Sequence, residues 1–230
     1  MFWGIDYYYI VLVVPALLLS LWAQARVKTA FSTYSLMHTM SGLTGAEAAR
    51  RILDDNGLND VSVARVSGNL TDNYNPKDKT VYLSDTVYAA ANVAAVGVAA
   101  HECGHAVQHQ TGYVPMKIRS AIIPVTNIGS TLSVPLIFLG FILGYTPLVQ
   151  IGLVLFSLMA VFQLVTLPVE FNASRRALAT LQQEGMVNAD EEAGVKKVLS
   201  AAALTYVAAL LMSIAQLLRL MLLANRRNNH

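Results

Sequence analysis

Charge is scarce in this sequence. Asp, Glu, Lys and Arg make up 13% of its 230 residues, where a soluble domain carries about 25%. That shortage argues against a chain wholly surrounded by water, and a hydrophobic share of 55% points towards membrane insertion. Cysteine is nearly absent: Cys103 stands alone, which excludes an intrachain disulfide and fits a reducing compartment. Net charge is low, at +2, and no basic stripe carries interleaved aromatics, so no nucleic-acid partner is expected. Internal repeats and low-complexity linkers are missing as well.

What is present is long apolar runs. Four stretches approach the roughly 20 apolar residues that a bilayer core requires: 8–25, 122–145, 147–168 and 198–218. The second carries Thr126, Asn127, Ser130, Thr131 and Ser133, side chains suited to facing neighbouring helices, and Pro124 and Pro135 as kink sites. Ala23-Gln24-Ala25 has the form of a signal-peptidase site. However, residues 1–9 hold Asp6 and no Lys or Arg, and Arg26 and Lys28 follow the run, so a retained span is expected. Nine Lys or Arg fall within 23–119 and four within 169–200. The positive-inside rule therefore places both polar segments, 26–119 and 169–197, in the cytoplasm and both termini outside. Arg219, Arg226 and Arg227 oppose that assignment.

Within 26–119, Thr44 and Glu47 have capping-box spacing ahead of Ala49, Ile52 and Leu53, which predicts a helix ending near Gly57. Residues 61–66 alternate as a half-buried strand does, 67–77 read as a loop, and 80–83 read as a second strand. One helix is expected over 85–110. Its apolar part, 87–100, is short for a span and suits a buried core helix. A helix embedded in lipid is the competing assignment. After the third span, Phe171, Ser174, Leu178 and Leu181 share a helical face, and Glu170 stands at the predicted start of that helix. Asn188 is the expected cap of a further helix that opens on Asp190, Glu191 and Glu192. The fold class expected is a mainly α membrane protein, with about four transmembrane helices and a small α+β zincin-like cytoplasmic domain.

The chemistry lies in His101-Glu102-Cys103-Gly104-His105, a match to H-E-x-x-H. Residues four apart share a helical face, so both imidazoles can reach one Zn²⁺. Zinc binds neutral imidazole nitrogen and, in catalytic sites, keeps a position for water whose pKa it lowers towards about 7. Glu102, beside the first ligand, is placed to take a proton from that water as general base and to return it to the leaving amine. Two histidines alone hold zinc poorly, so a third ligand is required. Glu170 is the only acid between Glu102 and Glu184, and an acid beside an apolar span calls for a partner. An alternative role for it is to cap its helix or pair with Arg175 or Arg176. His109 lies one further turn along the face of His101 and His105. Three ligands on one straight helix would spread over about 12 Å, so His109 is read as a residue that supports the ligands without touching the metal, or as a structural one. His38 and His230 carry no motif. Cys103 is read as a small packing residue, with redox control as the alternative.

These residues resemble a known family. His-Glu-Cys-Gly-His, two spans, and then Pro168-Val169-Glu170-Phe171-Asn172-Ala173-Ser174-Arg175-Arg176 look like the neutral zinc metallopeptidases of bacterial membranes, the YugP type. The loop 70–76 and the strand 80–84 add to the likeness, which covers nearly the whole chain. The plan is also similar to HtpX and the CAAX prenyl proteases. The resemblance implies a gluzincin-like site with His101, His105 and Glu170 as zinc ligands and Glu102 as the base. Those relatives place Asp four residues after the glutamate, against a ligand histidine. Here that position is Ser174, whose hydroxyl is the expected substitute.

Gluzincins commonly hold an extended substrate on a sheet edge, for which 61–66 or 79–84 are candidates. Arg175, Arg176 and Tyr74 are candidate transition-state stabilisers besides the zinc. The expected function is a membrane-anchored zinc endopeptidase, multi-pass in the bacterial cell (inner) membrane, with its active site on the cytoplasmic side. It would act on peptide or protein substrates, membrane proteins among them. Its other partner is the lipid bilayer, and no oligomeric state is implied. An intramembrane protease and a non-enzymatic scaffold with a structural zinc are the competing readings.

Overall fold

The computed structural model describes residues 6–228; His230 lies outside them. The chain is a mainly α membrane protein. Four helices are long and apolar enough to cross a bilayer: Tyr9–Ser35, Val114–Leu143, Thr146–Gln183 and Ala189–Arg226. The stretches 147–168 and 198–218 lie inside them; 8–25 begins one residue before Tyr9, and 122–145 outruns Leu143, where Gly144 takes a positive φ and the helix ends. All four helices extend past their apolar stretches into polar sequence at one end or both. The first opens with a π-helical turn, Tyr9–Val13, and continues as α1, Val14–Ser35. The remaining elements are α2 (Gly45–Asp55), β1 (Ser62–Val66), β2 (Asn73–Asn75), β3 (Thr80–Ser84), α3 (Asp85–Tyr88), α4 (Val93–Gln110), α5 (Val114–Leu143), α6 (Thr146–Gln183) and α7 (Ala189–Asn228).

The chain divides into two compact units. The apolar unit takes the residues to Ala23, Ile118–Leu167 and those from Leu204. Its helices meet through small residues: a Cβ built on Gly152 would stand 2.9 Å from the Ser133 carbonyl, and one on Gly140 would stand 2.8 Å from the Val149 nitrogen. Such close approach is how helices pack where lipid supplies no hydrophobic drive. Ile10, Leu18, Ile128, Ile142, Val154 and Leu164 point outward, as lipid-facing side chains do. Of the polar residues in α5, Thr126 and Ser133 are buried, whereas Asn127 and Thr131 face outward. Asp6 and Arg219 form an ion pair at 2.6 Å, and the guanidinium lies 5.0 Å from the Tyr9 ring centroid.

The polar unit takes Gln24–Lys117 and Pro168–Ala203. Its core joins Ile52 and Leu53 of α2, Val81 and Leu83 of β3, Val96 and Ala99 of α4, and Leu181 of α6. Thr44 and Glu47 form the capping box of α2, each side chain accepting the other's backbone N–H. The sheet order is β1-β3-β2, with β1 parallel and β2 antiparallel to β3. Two expectations need correction here. The segment 67–77 is not all loop, because Asn73–Asn75 pairs with β3. Strand β3 is therefore paired on both sides and offers no free edge; the edges are β1 and β2. The loop is latched by Asp72, whose carboxylate accepts the Ser84 N–H at 2.7 Å and its hydroxyl at 3.0 Å. Burial pushes the Asp72 carboxyl above its ordinary pKa.

The helix expected over 85–110 is broken. It turns at 89–92 and restarts as α4, where Asn92 caps the new helix by accepting the Ala95 N–H at 2.9 Å. An Asn side chain that competes for the backbone explains the interruption. Glu170, expected at a helix start, stands well inside α6, which runs through Pro168 without stopping. It cannot be a capping residue. At α7 the expected cap is present: Asn188 accepts the N–H groups of Asp190 and Glu191, both at 3.0 Å.

Candidate metal centre

His101, Glu102 and His105 sit on α4, and Glu170 and Ser174 sit one turn apart on α6. The two helices come together through Gly104. A Cβ there would lie 2.8 Å from the Ala173 carbonyl oxygen, so any larger residue would push α6 away. That contact explains why a glycine is found between the two histidines. It brings the Glu170 carboxylate to 3.2 Å from His101 Nε2 and 3.6 Å from His105 Nε2. One donor atom from each of the three residues falls within 4.8 Å of the others.

The donor set fits zinc. Bonds of about 2.0–2.1 Å in a tetrahedron separate neighbouring ligands by roughly 3.3 Å, and the two His–Glu distances straddle that value. Both imidazoles turn Nε2 inward and spend Nδ1 elsewhere. His101 Nδ1 lies 3.1 Å from the Ser174 hydroxyl, and His105 Nδ1 lies 3.0 Å from Gln108 Oε1. Glu170 is 2% exposed, so water cannot solvate its charge and a cation is the natural partner.

Glu102 is also buried. Desolvation raises its carboxyl pKa, against the opposing pull of the two imidazoles. For His105, burial acts to lower the pKa, but the Glu170 and Glu102 carboxylates outweigh it and hold it above the ordinary value. His109 stands outside the cluster and meets the Tyr74 hydroxyl at 2.9 Å through Nδ1. Burial raises the Tyr74 phenol. Arg175 is exposed, and Arg176 donates from Nε to Asn172 Oδ1 at 2.9 Å rather than pairing with Glu170. Cys103 is fully buried, its thiol pushed strongly upward by desolvation and directed at the Ala49 carbonyl. A thiol so held stays protonated, which suits packing and not redox chemistry.

Two side chains at the site escaped the sequence reading: Gln108, which is fully buried, and Asn172. The signal available was Gln108's position three residues after His105, on the buried face of the same helix.

Residues 9–225 match the family described as "Putative neutral zinc metallopeptidase". The chain belongs to this family. It is 51% identical to the "Putative membrane protease YugP" of Bacillus subtilis (strain 168), over 96% of this chain and 99% of that protein. No solved structure matches it. The family name points to zinc, and His101, His105 and Glu170 form a cluster that could hold a metal ion.

Proposed function

We propose that this protein is a membrane-anchored zinc endopeptidase in which His101, His105 and Glu170 hold the metal and Glu102 is the general base. The observation that carries this reading is the convergence of two imidazole Nε2 atoms and one buried carboxylate from separate helices. When bound, zinc would supply Lewis acidity, lowering the pKa of water and polarising a peptide carbonyl. Glu102 takes the proton of the attacking water on its carboxylate and returns it to the leaving amine. The Tyr74 hydroxyl, with His109 behind it, and Arg175 are the side chains assigned to the developing oxyanion. The open edges of β1 and β2 are assigned to an extended peptide.

The site helix α4 packs into the aqueous-type core of the polar unit with α2 and the sheet, which favours cleavage beside the bilayer over cleavage inside it. Of the three basic residues that oppose a cytoplasmic site, Arg219 is neutralised by Asp6. The positive-inside count then supports a multi-pass protein of the bacterial cell membrane with its site facing the cytoplasm. Its substrates are peptides or proteins, including membrane proteins.

The test compares purified wild type with Glu102→Gln for zinc content and for cleavage of a denatured membrane protein. Zinc in both and cleavage in wild type alone is the expected result. Equal cleavage by the two would remove Glu102 from the mechanism, and no zinc in either would remove the site.

A further inference from the structure

Gln108 Nε2 lies 2.8 Å from the Val169 carbonyl and 3.0 Å from Asn172 Oδ1, while its Oε1 lies 3.0 Å from His105 Nδ1. Asn172 Oδ1 in turn lies 2.9 Å from Arg176 Nε. The two ends of this chain have fixed polarity. A backbone carbonyl only accepts and a guanidinium only donates. Val169 therefore requires the Gln108 amide nitrogen on its side, and Arg176 requires the Asn172 oxygen on its side. With both amides so oriented, Gln108 presents an oxygen to His105. That oxygen has one role to play, accepting Nδ1–H.

We propose that Gln108 is the positioning residue for His105, fixing the proton on Nδ1 and leaving the Nε2 lone pair for the metal. The proposal rests on the zinc reading of the site and deepens it. The other histidine is held differently. Ser174 is a hydroxyl that either donates or accepts, so it orients the His101 ring without dictating which nitrogen bears the proton. The relay also fastens α4 to α6: Gln108 comes from one helix, and Val169, Asn172 and Arg176 come from the other. A fully buried amide with both ends satisfied is costly to disturb, because removing one partner strands the others without water. Arg176 thus acts through Asn172, as a support of the site.

The experiment measures zinc affinity by chelator competition in the full-length, detergent-solubilised protein, for wild type, Gln108→Met and Gln108→Glu. Methionine fills the volume without an acceptor, whereas glutamate keeps an oxygen facing His105 and, as the buried neutral acid, an O–H for the Val169 carbonyl. Loss of such an outer partner typically weakens metal binding about 10–100-fold. That drop is expected for Gln108→Met, with Gln108→Glu binding more tightly than Gln108→Met. Nitrogen-15 spectra of the zinc-loaded wild type should show the His105 Nδ1–H shifted by its hydrogen bond to Gln108, a shift that is lost in Gln108→Met. Should Gln108→Met not fold, the wild-type spectrum and the affinity of Gln108→Glu, expected within about tenfold of wild type, carry the test. Wild-type affinity in Gln108→Met, a glutamate variant no tighter than the methionine one, or a His105 without the Nδ1 proton overturns the proposal. A wild type that takes up no zinc at all sinks the reading of the site itself.

Discussion

In the apolar unit, Gly140 and Gly152 let helices touch, and the residues around them are apolar or spend their hydroxyls on their own helix. In the polar unit, Gly104 performs the same steric service against Ala173, yet four ionisable side chains gather beside it. One packing device thus serves two ends. Among lipid-facing helices it supplies dispersion contact. At the site it sets the separation between α4 and α6, and with it the distance from Glu170 to the histidines. The lesson is that a small residue beside a buried charge cluster controls geometry as much as stability.

The largest effect expected is from Glu170→Gln. A neutral amide in place of the carboxylate should reduce zinc affinity by more than the roughly 100-fold typical of an outer partner, and peptide cleavage should fall with it. Chelator competition and a peptidase assay check both. Retained zinc at wild-type affinity would place the third ligand elsewhere.

Next is a matched pair, Gly104→Ala and Gly140→Ala. Both insert a Cβ within 2.8 Å of backbone atoms, and overpacking of that kind costs about 1–3 kcal/mol. Melting temperatures should therefore fall in both. Zinc affinity should fall only in Gly104→Ala, because only there does the displaced helix carry a ligand. If the two variants lose zinc alike, the separation of roles between the units is wrong.

How much of this was legible beforehand follows the range of the interactions. The capping box of α2 and the Asn188 cap of α7 are written within four residues and were readable as such. The H-E-x-x-H spacing marks one helix face, and Glu170 stands out as the lone acid near an apolar span; the structure brings all three together. The break before α4 was missed because Ala-rich sequence favours helix on both sides and only Asn92 interrupts it. Strand β2 was missed because Asn-Tyr-Asn has weak strand propensity, and its pairing partner β3 and the Asp72 latch decide the matter. Gln108's place one turn from His105 is readable, but its role is not: its other partners are 61 and 64 residues away, and polarity is fixed only once all four groups are in place.

The smallest effects sharpen the comparison at helix starts. Thr44→Ala removes a capping box at the surface of the polar unit and should cost about 1 kcal/mol, within the usual 0.5–2 kcal/mol for a cap. Asp6 does two tasks in the apolar unit: Oδ1 accepts the Tyr9 N–H at 2.8 Å, and Oδ2 accepts two donors from Arg219. Asp6→Asn keeps an oxygen for Tyr9 but leaves a largely buried guanidinium without its counter-charge, so it should lower the melting temperature more than Thr44→Ala does. Combining Asp6→Asn with Arg219→Met should recover part of that loss, since the stranded charge is then gone. Zinc affinity should stay at the wild-type value in all three variants. A fall in affinity for Asp6→Asn would show that the apolar unit tunes the metal centre instead of merely anchoring it.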